Sequence, residues 1–190
     1  FQCNSSGIVI YDLESGEVYQ KADGYQVYAE NVYFDESGKL IYFIGMGEYI
    51  LEADLLVWDV ENGEIYKTVT TPSRRRFSWG ALSPSGADIA VIYSVPFREE
   101  HVVLGFIDTQ SWEIERVDEN NSPEYIEYCN AASIMATKDY SLYFSFRNAD
   151  DGTILQTIDV GDDIVSITFS PDCNLVYVLT FFDGLFVFGI

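Results

Sequence analysis

The stretch LLVWDVENGEIYKTV, residues 55–69, decides the fold because it contains two short strands and the corner between them. Apolar side chains fall on both faces of the first strand, residues 55–60, which is typical of a strand buried on both sides. Glu61-Asn62-Gly63 supplies turn residues, and apolar alternation resumes at Ile65. The stretch therefore predicts two antiparallel strands joined by a tight turn.

The same pattern occurs three more times, at residues 7–20, 105–117 and 145–158. Aligning the corner residues Asp12, Asp59, Asp108 and Asn148 gives steps of 47, 49 and 40 residues. A near-constant period in this range is the mark of a stacked or radial array of one repeating unit. The four corner residues are therefore expected to occupy equivalent positions.

The other half of the unit also repeats, at residues 31–44, 77–93 and 164–180. Each copy is an apolar strand, a tight turn containing Ser-Gly, Pro-Ser-Gly or Pro-Asp, and a second apolar strand. One complete unit is therefore four strands long, which is the size of one β-propeller blade.

Two short motifs, Trp58-Asp59 and Ser170-Pro171-Asp172, resemble those of WD-repeat propellers. Quinoprotein-type and lactonase-type propellers are similar as well. The chain has no Gly-His pair and a single histidine, so the buried Asp–His–Ser–Trp network of WD repeats is not carried over. The resemblance implies an all-β fold, a β-propeller segment of about four blades of four-stranded antiparallel sheets within a larger ring.

The repeats divide the chain into partial and complete blades. A partial blade of two strands is predicted at 1–22, complete blades at 31–69, 77–117 and 124–159, and a three-stranded partial blade at 164–190. In the blade at 124–159 the predicted strands are 124–129, 131–137, 141–147 and 153–159. An alternative pairs Ile134-Met135 with residues 142–146 as the first and second strands, which leaves the blade one strand short. The incomplete ends predict a piece of a longer polypeptide.

Net charge is −21, from 31 acidic and 10 basic residues, in a chain that is 16% aromatic. Nucleic acid and anionic lipid require clustered Lys and Arg, so neither is an expected partner. The acidic residues are expected to keep an aromatic-rich protein soluble, and the alternative is a face that attracts basic partners.

The three cysteines, Cys3, Cys129 and Cys173, form no short-spaced metal pattern. Cys129 and Cys173 are expected at strand ends or turns of different blades, and a bridge between them is not expected. An odd count without a disulfide framework is typical of a reducing compartment, so a cytoplasmic location is predicted.

Catalytic motifs are weak throughout the sequence. His101 lies in a charged loop before a strand, where a solvated histidine is the ordinary case, and Asp150-Asp151 and Asp162-Asp163 are explained by turn chemistry. No metal, no cofactor and no enzymatic activity are predicted.

One basic cluster, Arg74-Arg75-Arg76, stands out against the acidic background. It lies between two blades, in a class of loop that in propellers opens onto the channel face with the loops joining second to third strands. Local neutralisation of nearby acids is one interpretation, and binding of an acidic partner segment or ligand is the other. The predicted partner-binding residues are Arg74, Arg75, Arg76, Phe77, Phe97, Arg98, His101 and Tyr49.

Three functions follow from these observations. The first is a non-catalytic protein-interaction scaffold or sensor, whose partner is a protein, the remaining blades of the same polypeptide or a second copy. The second is a propeller enzyme of lactonase or lyase type, and the third is a binder of a small anion at the channel mouth. The first is favoured by elimination and by resemblance.

Overall fold

The protein is known from a computed structural model that describes residues 2–4, 7–23, 31–44, 55–70, 77–94, 102–118, 123–139 and 142–190. Every regular element in these ranges is a β-strand. Among the same residues no helix has the length and hydrophobicity needed to span a membrane. The chain divides into two compact units, Phe1–Ser78 and Trp79–Ile190.

The first unit contains two antiparallel sheets in which each strand pairs with the next along the chain. Sheet I consists of β1 (Gln2–Asn4), β2 (Gly7–Tyr11) and β3 (Val18–Asp23). Sheet II consists of β4 (Asn31–Phe34), β5 (Leu40–Ile44), β6 (Leu55–Asp59) and β7 (Glu64–Val69). The sequence had predicted two strands for sheet I, and the structure adds β1, which pairs with β2.

Three further sheets of the same antiparallel kind follow, and they lie in the second unit except for the first two residues of β8. Sheet III consists of β8 (Phe77–Leu82), β9 (Asp88–Ser94), β10 (Val102–Asp108) and β11 (Ile114–Asp118). Sheet IV consists of β12 (Pro123–Tyr128), β13 (Ile134–Asp139), β14 (Tyr143–Asn148) and β15 (Ile154–Asp159). Sheet V consists of β16 (Ile164–Phe169), β17 (Leu175–Thr180) and β18 (Leu185–Gly189).

The second strand of sheet IV begins later than the sequence predicted, at Ile134 and not at residue 131. Residues 130–133 form a turn, which the amide of Cys129 closes by donating to the carbonyl of Ile134 at 3.0 Å. Equivalent bonds close the turns of sheets III and V, from Ser83 to Asp88 and from Ser170 to Leu175. Sheet IV has four strands, so the alternative with three does not hold.

The four predicted corner residues are equivalent in the structure, as the spacing indicated. In each corner the side-chain oxygen accepts an amide N–H two or three residues further on, at 2.6–2.9 Å. The backbone oxygen accepts the N–H four residues on, at 2.8–2.9 Å. These corners begin at Asp12, Asp59, Asp108 and Asn148. A short polar side chain that satisfies nearby amides explains why Asp or Asn recurs there.

The fourth residue after each corner start has a left-handed backbone. Glycine occupies this position in three corners, because a side chain there crowds the backbone. The corner of sheet III has Trp112 instead, at φ 63°. The tryptophan obscured this repeat in the sequence but did not change its geometry.

Each unit has an apolar core between sheets. In the first unit Ile10 of sheet I packs on buried residues of sheet II, namely Ile41, Phe43, Leu56 and Trp58. In the second unit one buried cluster joins sheets IV and V, formed by Ala136, Phe144, Phe146, Ile164, Ile167, Val176 and Val178. Burial of these side chains from successive sheets is the main source of stability.

Polar contacts also join successive sheets of the second unit. The indole N–H of Trp79 in sheet III donates to the carbonyl of Ile126 in sheet IV at 3.3 Å. The Tyr125 hydroxyl of sheet IV donates to the carbonyl of Ile167 in sheet V at 3.2 Å. The predicted all-β class, built from four-stranded antiparallel sheets, is therefore confirmed.

Candidate interaction site

The turn between β17 and β18 exposes two adjacent phenylalanines, which we call the aromatic tip (Phe181 and Phe182). Their side chains are 70% and 79% exposed. The two rings meet edge to face, with their centroids 4.8 Å apart. Aromatic rings pack favourably in this arrangement, so the pair forms a single apolar protrusion.

A buried carboxylate holds the aromatic tip in place. Asp162 lies in the connection between β15 and β16 and is 6% exposed. Its Oδ2 accepts the amide N–H of Phe182 at 2.7 Å and that of Asp183 at 2.8 Å. The amide of Phe181 donates to the carbonyl of Asp163 at 2.9 Å. The connection and the turn are therefore fastened to each other by three hydrogen bonds.

The ends of the turn are tied together as well. The Thr180 amide donates to the carbonyl of Gly184 at 2.8 Å, and the Thr180 hydroxyl donates to the same oxygen at 3.1 Å. Gly184 has φ +92°, a conformation that other residues rarely adopt. Hydrogen bonds between its first and last residues, Thr180 and Gly184, thus close the turn that carries the aromatic tip.

Hydrogen bonds from backbone amides keep the carboxyl group of Asp162 ionised at neutral pH. Burial acts to raise the pKa of its carboxyl, but the N–H groups of Asp183 and Phe182 outweigh that effect. The pKa of Asp162 consequently lies below its ordinary value of 3.8. An ionised carboxylate accepts hydrogen bonds more strongly than a neutral acid, so the hydrogen bonds from Phe182 and Asp183 to Asp162 are strongest in the ionised form that is present near pH 7.

The surroundings of the aromatic tip are acidic. Asp163 and Asp183 flank it and are exposed. Residues 142–190 contain seven aspartates and a single basic residue, Arg147, whose side chain is fully buried. The tip therefore combines an exposed apolar pair with negative charge that no exposed lysine or arginine of this segment offsets.

Seven of the eight partner-binding residues predicted from the sequence lie outside the residues that the structure describes: Arg74, Arg75, Arg76, Phe97, Arg98, His101 and Tyr49. The eighth, Phe77, begins β8 and is 1% exposed, so its ring belongs to the core. The aromatic tip lies in a loop that joins a second strand to a third, the same class of loop in which Tyr49, Phe97, Arg98 and His101 were predicted. Asp162 lies in a connection between two sheets, the class of loop in which Arg74, Arg75 and Arg76 were predicted. The sequence signal for the aromatic tip was two consecutive aromatic residues directly before the turn residues Asp183-Gly184.

A disulfide joins Cys129 to Cys173, with their Cα atoms 5.8 Å apart, so the expectation that these cysteines would not pair was wrong. Their predicted placement was right, because Cys129 follows β12 and Cys173 lies in the turn between β16 and β17. The turns that follow the first strand of sheets IV and V lie side by side, and the amide of Ala131 reaches Cys173 Sγ at 3.3 Å. Linear spacing did not reveal this proximity.

Sheet IV also contains a buried polar network that sequence reasoning missed. Arg147 Nε donates to the Thr137 hydroxyl at 2.9 Å, and Nη1 donates to the carbonyl of Gly152 at 2.9 Å. Its Nη2 lies 3.5 Å from Asp139 Oδ1. The carboxylate of Asp139 also accepts hydrogen bonds from the hydroxyls of Thr137 and Ser145. The network joins β13, β14 and the corner at Gly152, and it is a structural centre of the sheet.

The residues that the structure describes contain no group of three or more His, Cys, Asp or Glu side chains arranged to hold a metal ion.

Antiparallel four-stranded sheets with repeated corners define the chain as a β-propeller segment. The sequence matches no known family and no curated protein. The fold matches 1023 solved chains. Among them is hydrazine synthase of Kuenenia stuttgartiensis, with a TM-score of 0.76 and 14% sequence identity, over 99% of this chain and 66% of the other. At this identity the likeness shows the fold alone.

Proposed function

We propose that this chain is a non-catalytic protein-interaction module, and that it binds a partner protein through the aromatic tip. The observation that carries the proposal is the exposure of Phe181 and Phe182 on a turn that Asp162 holds rigid. Burial of one phenylalanine side chain stabilises a structure by about 1.5–3 kcal/mol. Phe181 and Phe182 are exposed to water, so this stabilisation is obtained only when the surface of another molecule covers their rings.

Rigidity favours binding over an accidental exposure. A flexible loop loses conformational freedom when it binds, which weakens the complex. The three bonds between the 162–163 connection and the turn impose that order before any partner arrives. Aromatic anchors on ordered surfaces are the residues that dominate measured binding energies.

The resemblance to WD-repeat and quinoprotein-type propellers supports the same function, since WD-repeat propellers present their loops to protein partners. The predicted residues Arg74, Arg75 and Arg76 remain in the proposal as a second, basic contact, in the connection between two sheets. The proposal takes no activity from hydrazine synthase, because 14% identity carries only the fold.

The test places a photo-crosslinking phenylalanine analogue at position 182 and, as a matched control, at position 155. Leu155 is also an exposed apolar residue of the second unit, at 58%, and lies away from the turn on β15. We expect a discrete adduct in the native extract from position 182 that is absent from position 155.

The adduct is then identified, and the purified partner is titrated with wild type, with Phe181→Ser/Phe182→Ser and with Leu155→Ser. The double change should weaken binding at least about tenfold, since two anchor rings are lost, and leave the folded state intact. Leu155→Ser should bind like wild type. Equal affinity for wild type and the double variant would overturn the proposal.

A further inference from the structure

We infer that the partner segment seated on the aromatic tip is basic, an inference that rests on the function proposed above. Phe181 and Phe182 supply ring faces, and the neighbouring Asp163 and Asp183 supply exposed negative charge. A lysine or arginine on an aromatic ring is attracted to the ring face and gains further from a nearby carboxylate. An acidic segment would meet repulsion from both aspartates.

The wider charge distribution favours the same partner chemistry. The chain carries net charge −21, and residues 142–190 expose no lysine or arginine. Long-range attraction therefore raises the encounter rate of basic segments at this sheet and lowers that of acidic ones. Arginine also stacks on aromatic rings through its planar guanidinium, so an arginine-containing segment fits the two features together.

The test is a selection of random 12-residue peptides displayed on phage against the purified chain. Peptides that lose binding to Phe181→Ser/Phe182→Ser are kept, and their net charge is compared with that of the unselected library. We expect these tip-dependent peptides to be enriched in Lys and Arg. Their affinity should fall at least about fivefold for Asp163→Asn/Asp183→Asn and fall with added salt.

Glu113→Gln/Asp150→Asn is the matched control, because it removes two exposed charges elsewhere in the second unit. It should change affinity less than twofold. Tip-dependent peptides that are neutral or acidic would overturn the basic partner while leaving the proposed function standing. A selection that yields no tip-dependent peptide would count against both.

A second, independent inference concerns the compartment in which the chain works. We infer that it is an oxidising one, because Cys129 and Cys173 are buried together as a disulfide between sheets IV and V. Structural disulfides persist in secreted and periplasmic proteins and are rare in the cytosol. The cytoplasmic prediction rested on the absence of a disulfide framework, and this bond removes that ground.

Formation of the bond oxidises two thiols to one disulfide and releases two protons and two electrons. A disulfide-form thiol oxidoreductase of that compartment accepts the electrons. The Cα separation of 5.8 Å lies within the range in which the two sulfurs can bond without a backbone shift.

The test is differential thiol labelling of the native protein after acid quenching of intact cells, with peptide mapping by mass spectrometry. We expect a linked peptide pair carrying Cys129 and Cys173. Cys3 should be the one cysteine of three that takes the first label. If Cys129 and Cys173 both take the first label in the native protein, the inference fails.

Discussion

Sheets II and IV use equivalent positions in opposite ways. In sheet II Trp58 pairs with Ile41 and Leu56 pairs with Phe43, and all four are buried in an apolar cluster. In sheet IV the same two pairs, counted from the corners at Asp59 and Asn148, are Arg147 with Met135 and Ser145 with Thr137. One sheet is centred on an indole and the other on a guanidinium.

The difference shows what the repeating fold requires. The strand register and the corners are the same in both sheets, so they do not depend on the chemistry of the centre. An apolar centre is stabilised by burial alone. A buried arginine costs several kcal/mol in lost hydration and needs Asp139 and the surrounding hydrogen bonds to offset it.

The largest expected effects come from substitutions that remove the central side chain of sheet II or of sheet IV. Trp58→Ala should cost about 3–5 kcal/mol in free energy of unfolding through the cavity it leaves. Arg147→Met should cost a similar amount, about 3–5 kcal/mol, because Asp139 is left buried without its cation. Chemical denaturation measures both values.

A second change separates the two mechanisms. Adding Asp139→Leu to Arg147→Met should recover most of the loss, because the uncompensated charge is then gone. If the double variant is as unstable as Arg147→Met, the arginine acts through packing and not through its charge.

The disulfide gives the next effect in size, and it lies in the second unit. A bond closing a loop of 44 residues stabilises by about 4 kcal/mol in the chain-entropy description. Cys129→Ser/Cys173→Ser should therefore speed amide hydrogen exchange in residues 79–190 and leave sheet II unchanged. Equal acceleration in both units would show that they unfold as one.

A smaller effect compares two corner glycines. Both Gly16 and Gly152 have left-handed backbones, and a Cβ at Gly16 would meet nothing within 4 Å. A Cβ at Gly152 would lie 3.0 Å from the ring of Phe106. Gly16→Ala should cost about 1 kcal/mol through backbone strain. Gly152→Ala should lower the free energy of unfolding by about 2–3 kcal/mol, because the clash with Phe106 adds to the backbone strain. Thermal unfolding measures both variants, and equal losses of stability would show that the clash contributes nothing.

The smallest effect is a pH dependence at the aromatic tip. The pKa of Asp162 is lowered in the folded state, so its contribution to stability is complete above the ordinary value of 3.8 and is lost as pH falls below it. The NMR amide signals of Phe182 and Asp183 should shift as pH falls through this range. In Asp162→Asn the shifts should disappear, and their persistence would assign them to another group.

The sequence was sufficient for the elements of the fold that depend on local chemistry. Asp12, Asp59, Asp108 and Asn148 were recognised from a repeated pattern, and that pattern recurs because each of them accepts hydrogen bonds from amides two or three residues away. The disulfide and the Arg147 network were missed for a shared reason. They depend on which turns and strands lie beside each other in space, and a strand pattern treats Arg147 only as a polar residue at the end of a strand, between Phe146 and Asn148.

The aromatic tip was missed for a different reason. Its residues were visible, but their exposure depends on how Asp162 directs the turn, and that contact spans 20 residues. Apolar residues in a strand-rich sequence are expected to be buried, so two adjacent phenylalanines did not by themselves indicate an exposed surface. The prediction of a binding site instead favoured Arg74, Arg75 and Arg76, because a basic cluster stands out in an acidic sequence.

Hydrogen exchange on the complex with the cross-linked partner tests the central claim most directly, because sheet V has two ends to compare. Residues 162–163 and 181–184 lie at one end, and the turn at 170–174 lies at the other. The claim that the aromatic tip binds the partner predicts protection at the first end and no change at the second. Protection at 170–174 alone, or at neither end, would contradict it.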